Sequence, residues 1–408
     1  MTISTAVFTA PAAPLQGTAH LAGWLGADRT TAVTALVDPA VIDRPITRQV
    51  LAQVRQAGLE PTVLTIGPRG DLAAITTLAA ELDPGALLIA VGGGSTMDLA
   101  KLAVLTRDWP EVRRWLAAPQ RSGMVMLPAR LGSSVRVLAV PTTLGTGSEL
   151  APVACYPYED AKRIVNGNCL RPVASIHDAA ATETLPVGLV ADGVLEALFR
   201  AVSPYAGDPI ARPAPDAAVE DLARRLVDAG YEVARDRAAG GPVNPGLRLR
   251  IAALSSESQI GHTNIGRYVH AVKAWPIANE LSSTLGLVKM RAVAAIWPVL
   301  WRRALAGDHR VGEAARITRL WQVVRERAPW LGTDPADGLE QLMHDWQVPR
   351  VVPATPADLE VATARAMRAW GAGLPMLGGL KADEVRAVLT EATVPAPTET
   401  SAAPAADQ

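Results

Sequence analysis

Two glycine-rich stretches, each directly after a short apolar run, constrain the fold of this chain more than any other feature. They are Val91–Lys101 and Val140–Glu149, about fifty residues apart. Each apolar run predicts a buried strand. Each stretch then offers backbone N–H groups and hydroxyls at the start of the next element, where a phosphate group can bind. The pair therefore predicts a nucleotide site at the edge of a sheet.

The first part of the chain alternates between strand-like and helix-like segments. The predicted strands are Ala32–Val37, Pro61–Ile66, Ala86–Val91 and Val135–Val140, and the predicted helices are Ile46–Gly58, Leu72–Leu82 and Ser95–Leu105. Extended segments in Lys162–Ile176 close this part of the chain. Strands that alternate with helices at this spacing predict a parallel sheet with helices on both faces.

From about Pro186 the strand signal disappears and apolar residues recur with a helical period. The predicted helices are Val190–Ala201, Ala217–Val233, Arg248–Ile260, Gly286–Arg303, Glu313–Arg327 and Pro356–Ala369. A Pro/Ala-rich loop is predicted at Pro204–Pro215. Seven of the ten tryptophans lie between Trp275 and Trp370, which is typical of helix–helix core packing.

These patterns predict three regions. Residues 1–183 form an α/β domain, residues 184–393 form an all-helical domain, and the Pro/Ala/Thr-rich residues 394–408 form a disordered tail. The chain has 408 residues, 49% of them hydrophobic, which is enough for two ordinary cores.

Charge and cysteine content exclude several classes of protein. The net charge of −1 argues against nucleic-acid or anionic-membrane partners. Two cysteines, Cys155 and Cys169, are too few for a disulfide framework or an iron–sulfur cluster and suit a reducing cytoplasm. No apolar run is long enough to span a membrane, and the N-terminus lacks the pattern of a signal peptide.

The order and spacing of the two glycine-rich stretches resemble the iron-containing alcohol dehydrogenase superfamily, which also contains dehydroquinate synthase. The resemblance implies a Rossmann-like NAD-binding domain followed by a helical metal and substrate domain, in a homodimer. It also implies that the cofactor pyrophosphate is held at the first stretch, by Gly92, Gly93, Gly94 and Ser95. Asp98 would face the nicotinamide, Thr142, Thr143 and Leu144 would flank the riboses, and Lys162 would lie near the cofactor.

Asp38 directly follows the first predicted strand. A carboxylate there can accept hydrogen bonds from the adenosine ribose 2′-OH and would repel a 2′-phosphate. The sequence therefore favours NAD over NADP, although NADP stays possible.

The metal site departs from the pattern of the superfamily, whose alcohol dehydrogenases bind Fe²⁺ or Zn²⁺ through one Asp and three His. Asp192 matches the first ligand, Glu196 stands at the first histidine position, and His270 fits a G-x-x-x-H-A pattern at 266–271. Thr284 stands near the position where the superfamily has its fourth ligand, a histidine. Asp192, Glu196 and His270 could hold a divalent metal as three ligands with water.

The alternative is a chain without metal. His270 or Lys273 would then supply charge and proton transfer, with Lys162 close to the cofactor. Because two carboxylates on one helix face repel each other, a cation is expected beside them: a metal, Lys273, Lys289 or an arginine.

The main functional prediction is hydride transfer between an alcohol and nicotinamide, on a small alcohol or aldehyde. The residues Gly193–Tyr205 also resemble daptide-type dehydrogenases of ribosomal-peptide pathways, which implies oxidation of a peptide C-terminal threonine followed by decarboxylation. Two alternatives stay open: a sugar-phosphate cyclase of the dehydroquinate synthase type, and a non-catalytic nucleotide-binding descendant.

Overall fold

The computed structural model of the chain describes residues 13–65, 70–131, 135–260 and 262–396. The strands are β1 (Leu15–Gln16), β2 (Val33–Val37), β3 (Thr62–Thr65), β4 (Leu87–Gly92), β5 (Met124–Met126), β6 (Val135–Pro141), β7 (Val153–Tyr158), β8 (Ala161–Asn166), β9 (Pro172–His177), β10 (Pro353–Ala354) and β11 (Val394–Pro395). The helices of the first half are α1 (Leu21–Asp28), α2 (Pro45–Gln56), α3 (Leu72–Glu81), α4 (Gly94–Asp108) and α5 (Val112–Ala117). The remaining helices are α6 (Val187–Gly207), α7 (Pro213–Ala238), α8 (Pro245–Glu257), α9 (Ala274–Leu285), α10 (Lys289–Leu305), α11 (Ala314–Arg327), α12 (Pro335–Asp345), α13 (Pro356–Trp370) and α14 (Ala382–Ala392).

The first half is built on a six-stranded sheet in the order β1-β9-β6-β4-β2-β3, in which every pairing is parallel. Successive residues of its central strands face opposite sides. Leu88 and Ala90 of β4 join a core with α3 and α4, whereas Leu87 and Ile89 join a core with α1 and α2. This arrangement confirms the predicted α/β class.

The extended segments predicted in Lys162–Ile176 belong to two sheets. The strands β7 and β8 form an antiparallel hairpin, and β5 adds to β8 in parallel. The following strand, β9, instead enters the large sheet between β1 and β6. The hairpin packs against α4 and brings Cys155 next to Asp98.

The second half is helical from α6 to α14 and encloses one large apolar core. Five of the tryptophans in this half are buried in that core, as the sequence predicts: Trp297, Trp301, Trp321, Trp346 and Trp370. Trp275 is partly buried against the core, and Trp330 has 57% of its surface exposed.

Two predictions about this half need correction. The loop expected at Pro204–Pro215 is much shorter, because α6 continues through Pro204 to Gly207 and α7 already begins at Pro213. Tyr205 and Ala206 are buried in the helical core, so packing outweighs the lost hydrogen bond at Pro204. In addition, Val394 is not tail, because β11 pairs with β10 in parallel.

Some predictions fall outside the described residues. These are the end of the strand Pro61–Ile66 and residues 397–408 of the predicted tail. The division between residues 183 and 184 stays a prediction. Within the described ranges, no helix combines the length and the apolar character needed to cross a membrane.

Candidate active site

The two glycine-rich stretches meet at the carboxyl edge of the large sheet. The strands β4 and β6 are parallel neighbours, so Gly92 at the end of β4 pairs with Pro141 at the end of β6. Directly beyond that pair, the Thr142 amide donates a hydrogen bond to the Gly92 carbonyl over 2.9 Å. Ligands of open α/β sheets bind at this edge of the sheet, outside the ends of the strands.

The start of α4 leaves polar groups available to a ligand. Its N-cap, Gly93, provides no side chain to cap the first amides of the helix, and the Ser95 side chain is exposed. The Thr143 hydroxyl oxygen is buried and has no hydrogen-bond partner among the described residues. Free amides at the positive end of a helix dipole, with an unpaired hydroxyl beside them, fit the pyrophosphate of a dinucleotide.

Asp98, expected to face nicotinamide, is engaged inside the protein. Its carboxylate accepts hydrogen bonds from the Ser148 hydroxyl at 2.6 Å and from the Cys155 amide at 2.9 Å. The Lys101 ammonium lies 3.6 Å from the same carboxylate and donates to Ser148 at 2.8 Å and to the Val153 carbonyl at 2.9 Å. This buried network fixes α4, the second glycine-rich stretch and the hairpin relative to one another.

The second glycine-rich stretch is held against the helical half by a close backbone approach. Gly145 has a φ of +92°, and a Cβ atom built there would overlap the backbone of Gly193 in α6. In return, a Cβ on Gly193 would lie 2.7 Å from the Leu144 carbonyl oxygen. The Leu144 side chain is buried in the helical core, which leaves its backbone for the predicted contact with a ribose. Both glycines are therefore needed for the two halves to meet.

Arg200 of α6 also binds the second glycine-rich stretch. Its guanidinium donates hydrogen bonds to the carbonyls of Gly145 and Thr146, to the Ser258 hydroxyl and to the Glu196 carboxylate. Only 11% of the Arg200 side chain is exposed. Burial lowers the pKa of Arg200, while the charges of Glu196 and Glu149 oppose that shift. The Arg200 guanidinium thus joins the second glycine-rich stretch, which is predicted to contact the cofactor, to helix α6.

A second polar junction lies beside the first. The Ser256 hydroxyl of α8 lies 3.1 Å from Glu149 and 3.2 Å from the His177 ring, and all three residues are buried. Burial would raise the pKa of Glu149, but His177 and Ser256 outweigh it and the pKa is lowered. The motif residue Glu149 therefore connects the sheet to the helical half.

Asp192 and Glu196, one helical turn apart on α6, are each paired with an arginine. Arg291 lies 2.5 Å from Asp192, and Arg200 lies 3.2 Å from Glu196. Burial raises the pKa of both carboxyls, and the paired arginines oppose that rise. Arginine, one of the alternatives left open by the sequence, therefore supplies the cation expected here.

Lys289, at the start of α10, is a third cation near these carboxylates. Its ammonium lies 5.2 Å from the ring centroid of Trp275, and it has no hydrogen bond or ion pair among the described residues. Its charge counters the burial that raises the pKa of Glu196 on the helical side and of Cys155 on the sheet side. Its position is fixed by the contact with the Trp275 ring at the start of α9.

The other predicted catalytic residues have contacts of their own. The Lys273 ammonium donates to the carbonyls of His270 and Pro375, and burial lowers its pKa to about 8. The His270 ring stacks edge-on against Tyr268, and burial together with Lys273 lowers its pKa. Lys162 has an exposed side chain on β8, and its carbonyl accepts a weak hydrogen bond from Asn279 at 3.4 Å.

The donor set does not fit a divalent metal. Within the described part of the chain, no three residues among His, Cys, Asp and Glu lie close enough together to hold one, so the predicted ligands Asp192, Glu196 and His270 are not assembled. One oxygen, Asp192 Oδ1, is buried without a partner. A single free oxygen does not make a metal site, which requires three or four protein ligands.

Asp38 keeps the position expected of a selectivity residue. It follows β2 at the ligand edge of the sheet, where its carboxylate accepts a hydrogen bond from the Ala40 amide at 2.9 Å. Its second oxygen lies 3.4 Å from the Thr96 hydroxyl, in the first turn of α4. The carboxylate is therefore held next to the glycine-rich turn.

Sequence reasoning did not assign roles to Arg200, Arg291 and Lys101. A signal existed for two of them, because Arg200 lies four residues after Glu196 and Lys101 lies three after Asp98 on predicted helices. Arg291 pairs with Asp192 from 99 residues away, and no local pattern indicates that pairing.

Comparison with known proteins supports the resemblance seen in the sequence. Residues 16–179 match the sequence model of the iron-containing alcohol dehydrogenase family. Human mitochondrial hydroxyacid-oxoacid transhydrogenase is 32% identical over 224 residues, which are 50% of this chain and 44% of that protein. The chain thus spans less than half the length of this curated relative.

Solved structures extend the likeness to the helical half. Iron-containing alcohol dehydrogenase from Thermococcus thioreducens aligns with a TM-score of 0.75 and 16% identity, covering 95% of this chain and 99% of that one. NADH-dependent butanol dehydrogenase A from Thermotoga maritima aligns with a TM-score of 0.73 and 17% identity, covering 95% and 98%. Residues 16–179 thus match the iron-containing alcohol dehydrogenase family in sequence, and both halves share the fold of these solved structures.

Proposed function

We propose that this chain is an NAD(H)-dependent oxidoreductase that transfers hydride between an alcohol and nicotinamide. The observation that carries the proposal is the cradle where Gly92 meets Thr142, with open amides at the start of α4 and an unpaired Thr143 hydroxyl. A cradle of this kind binds a pyrophosphate without any charged side chain. The helical half brings charged residues from α6 and α10 to the same region. This charged wall consists of Asp192, Glu196, Arg200, Lys289 and Arg291.

The family and its solved structures support a nicotinamide cofactor and a divalent metal in general. The residues of this chain fit a nicotinamide cofactor but do not fit a divalent metal. Nicotinamide would supply the hydride acceptor of the reaction. The first turn of α4 would hold the pyrophosphate, and Asp38 would accept hydrogen bonds from the ribose, which favours NAD over NADP.

The residues of the chain itself position and enclose the reactants. Arg200 holds the Gly145–Thr146 loop against α6, so the cofactor side and the substrate side keep a fixed separation. The half-buried Trp275 packs edge to face against the buried Phe199 at 5.1 Å, which fixes an apolar ring on the helical side. Fixed reactants and little water are the main requirements for hydride transfer.

The substrate class follows from the relatives only in outline. One relative acts on hydroxy acids and oxo acids and another on butanol, according to their names. A small alcohol, aldehyde or hydroxy acid is therefore our proposal for this chain. Oxidation of a peptide C-terminus, the cyclase reaction and a non-catalytic role stay predictions without a supporting contact, and the homodimer likewise stays a prediction.

Calorimetric titration with NADH tests the proposal. We expect micromolar binding by the parent chain and none by Gly94→Val, because a Cβ at Gly94 already lies 3.2 Å from Thr146 and the branched side chain would fill the pyrophosphate position. Gly23→Val is the matched control, since a Cβ there meets nothing within 4 Å. Equal binding by the parent and Gly94→Val would refute the assignment of the cofactor site.

A further inference from the structure

The charges opposite the cofactor cradle reproduce the net charge of a metal centre. The carboxylates of Asp192 and Glu196 stand with three cations, Arg200, Arg291 and Lys289, and these five side chains together carry one net positive charge. A divalent ion held by one carboxylate and neutral histidines, the ligand set that the resemblance implies, also carries one net positive charge. A net positive charge at this place is the requirement for stabilising a developing alkoxide.

The three cations differ in the number of hydrogen-bond partners that they have within the protein. Arg200 is fully engaged with two carbonyls, a hydroxyl and Glu196. Arg291 is engaged with Asp192 and with the Pro349 carbonyl at 3.2 Å. Lys289, by contrast, contacts only the Trp275 ring among the described polar and aromatic partners, so all three of its N–H groups can serve a ligand.

The position of Lys289 is fixed by packing rather than by hydrogen bonds. Trp275, the platform beneath its ammonium, is itself held by the buried Phe199 of α6. Trp275 belongs to α9, and Asn279 of the same helix donates a hydrogen bond to the Lys162 carbonyl of the hairpin at 3.4 Å. The hairpin also contacts Asp98 of α4, so Lys289 and its Trp275 platform belong to the side of the helical half that meets the hairpin.

We propose that this chain transfers hydride without a divalent metal, and that Lys289 Nζ donates a hydrogen bond to the reacting oxygen of the substrate. This inference rests on the proposed function. In the oxidation direction, the carbinol C–H bond breaks and its electron pair leaves as hydride to NAD⁺. The O–H bond breaks and its proton passes to water, so the carbon is oxidised by two electrons and NAD⁺ is reduced. The O–H bond breaks first, and Lys289 stabilises the negative charge on the oxygen until the hydride has left the carbon.

The full-length chain, freed of metal with EDTA, is assayed with NAD⁺ against 1-butanol and a series of C3–C6 alcohols and 2-hydroxy acids, and with NADH against their carbonyl products. The variants are Lys289→Met, which keeps the apolar stem on Trp275, and Lys289→Arg, which keeps the charge. Lys381→Met is the control, because Lys381 is exposed at the start of α14. NADH binding and thermal unfolding are measured on every variant.

We expect turnover by the EDTA-treated parent, a loss of about 100-fold or more in kcat for Lys289→Met, and partial rescue by Lys289→Arg. NADH affinity and unfolding temperature should stay those of the parent, which separates lost chemistry from lost structure. Turnover that requires added Fe²⁺ or Zn²⁺, or a Lys289→Met variant as active as Lys381→Met, would overturn the inference alone. A parent that binds no NADH, or binds it and turns over none of the compounds, would overturn the proposed function as well.

Discussion

The two walls of the candidate site are built from different kinds of group. The sheet side uses backbone amides, glycines and neutral hydroxyls, and leaves them open at Gly93, Ser95 and Thr143. The helical side uses buried charges, and nearly all of them are already paired within the protein. A wall of open neutral groups can bind a large anionic cofactor, whereas a wall of paired charges can shape the field around a small substrate. The predictions below probe this difference in order of decreasing expected effect.

Removal of Arg200 should have the largest effect, because it breaks the contact between the two walls. Arg200→Met leaves the Glu196 carboxylate and two loop carbonyls without their hydrogen-bond donor. We therefore expect the free energy of unfolding to fall by about 3–5 kcal/mol. Arg224→Met removes an exposed pair with Glu326 and should change it by less than about 1 kcal/mol. Urea unfolding of both variants measures the difference, and equal losses would show that Arg200 is not a buried junction.

Gly145→Ala should have the second largest effect. The positive φ and the overlap with Gly193 act together, so we expect a loss of about 3 kcal/mol in unfolding free energy and weaker NADH binding. Gly85→Ala separates the two causes, because Gly85 also has a positive φ but a Cβ there meets nothing within 4 Å. That control should lose only about 1 kcal/mol. A similar loss in both variants would mean that the walls do not touch at Gly145.

The helical half should also show a pH dependence, through Asp216 of α7. Burial would raise the pKa of Asp216, but hydrogen bonds from Arg316, the Arg212 amide and Arg267 outweigh it and lower the pKa to about 2. Because the folded pKa lies below the unfolded value of 3.8, this stabilisation is full above pH 4 and disappears as the pH falls towards 2.

Asp216→Asn should therefore lower the unfolding free energy by about 2 kcal/mol at pH 6, and the gap from the parent should close at lower pH. Glu326→Gln, at an exposed pair, serves as the control. A gap that stays constant between pH 6 and pH 2.5 would assign the loss to packing rather than to charge.

Asp38 should give the smallest effect. Asp38→Asn keeps an acceptor for the Ala40 amide but removes the charge that repels a 2′-phosphate. We expect the preference for NAD over NADP to fall about tenfold, which is about 1.4 kcal/mol. The control is Asp43→Asn, at an exposed position. Competitive binding of the two cofactors measures the ratio, and an unchanged ratio would place Asp38 outside the pocket.

The two walls also differ in how far the sequence predicts them. The strand β4 and the helix α4 were predictable within a few residues, because an apolar run followed by glycines is a local pattern. The predicted end of α6 before Pro204 was wrong, because burial of Tyr205 and Ala206 outweighs the local effect of proline. The metal triad was expected from the positions of a family motif, yet Asp192 takes Arg291 as its partner from a distant helix. Such pairings depend on the packing of α6 against α10, which no local pattern encodes.

The most direct test of this account is a calorimetric titration of the EDTA-treated chain, first with NADH and then with Zn²⁺. We predict saturable binding of NADH, because the sheet wall is open, and no saturable binding of Zn²⁺, because the carboxylates of the helical wall are already paired. Absence of NADH binding would contradict the account of the first wall. Zn²⁺ binding that disappears in Asp192→Asn would contradict the account of the second.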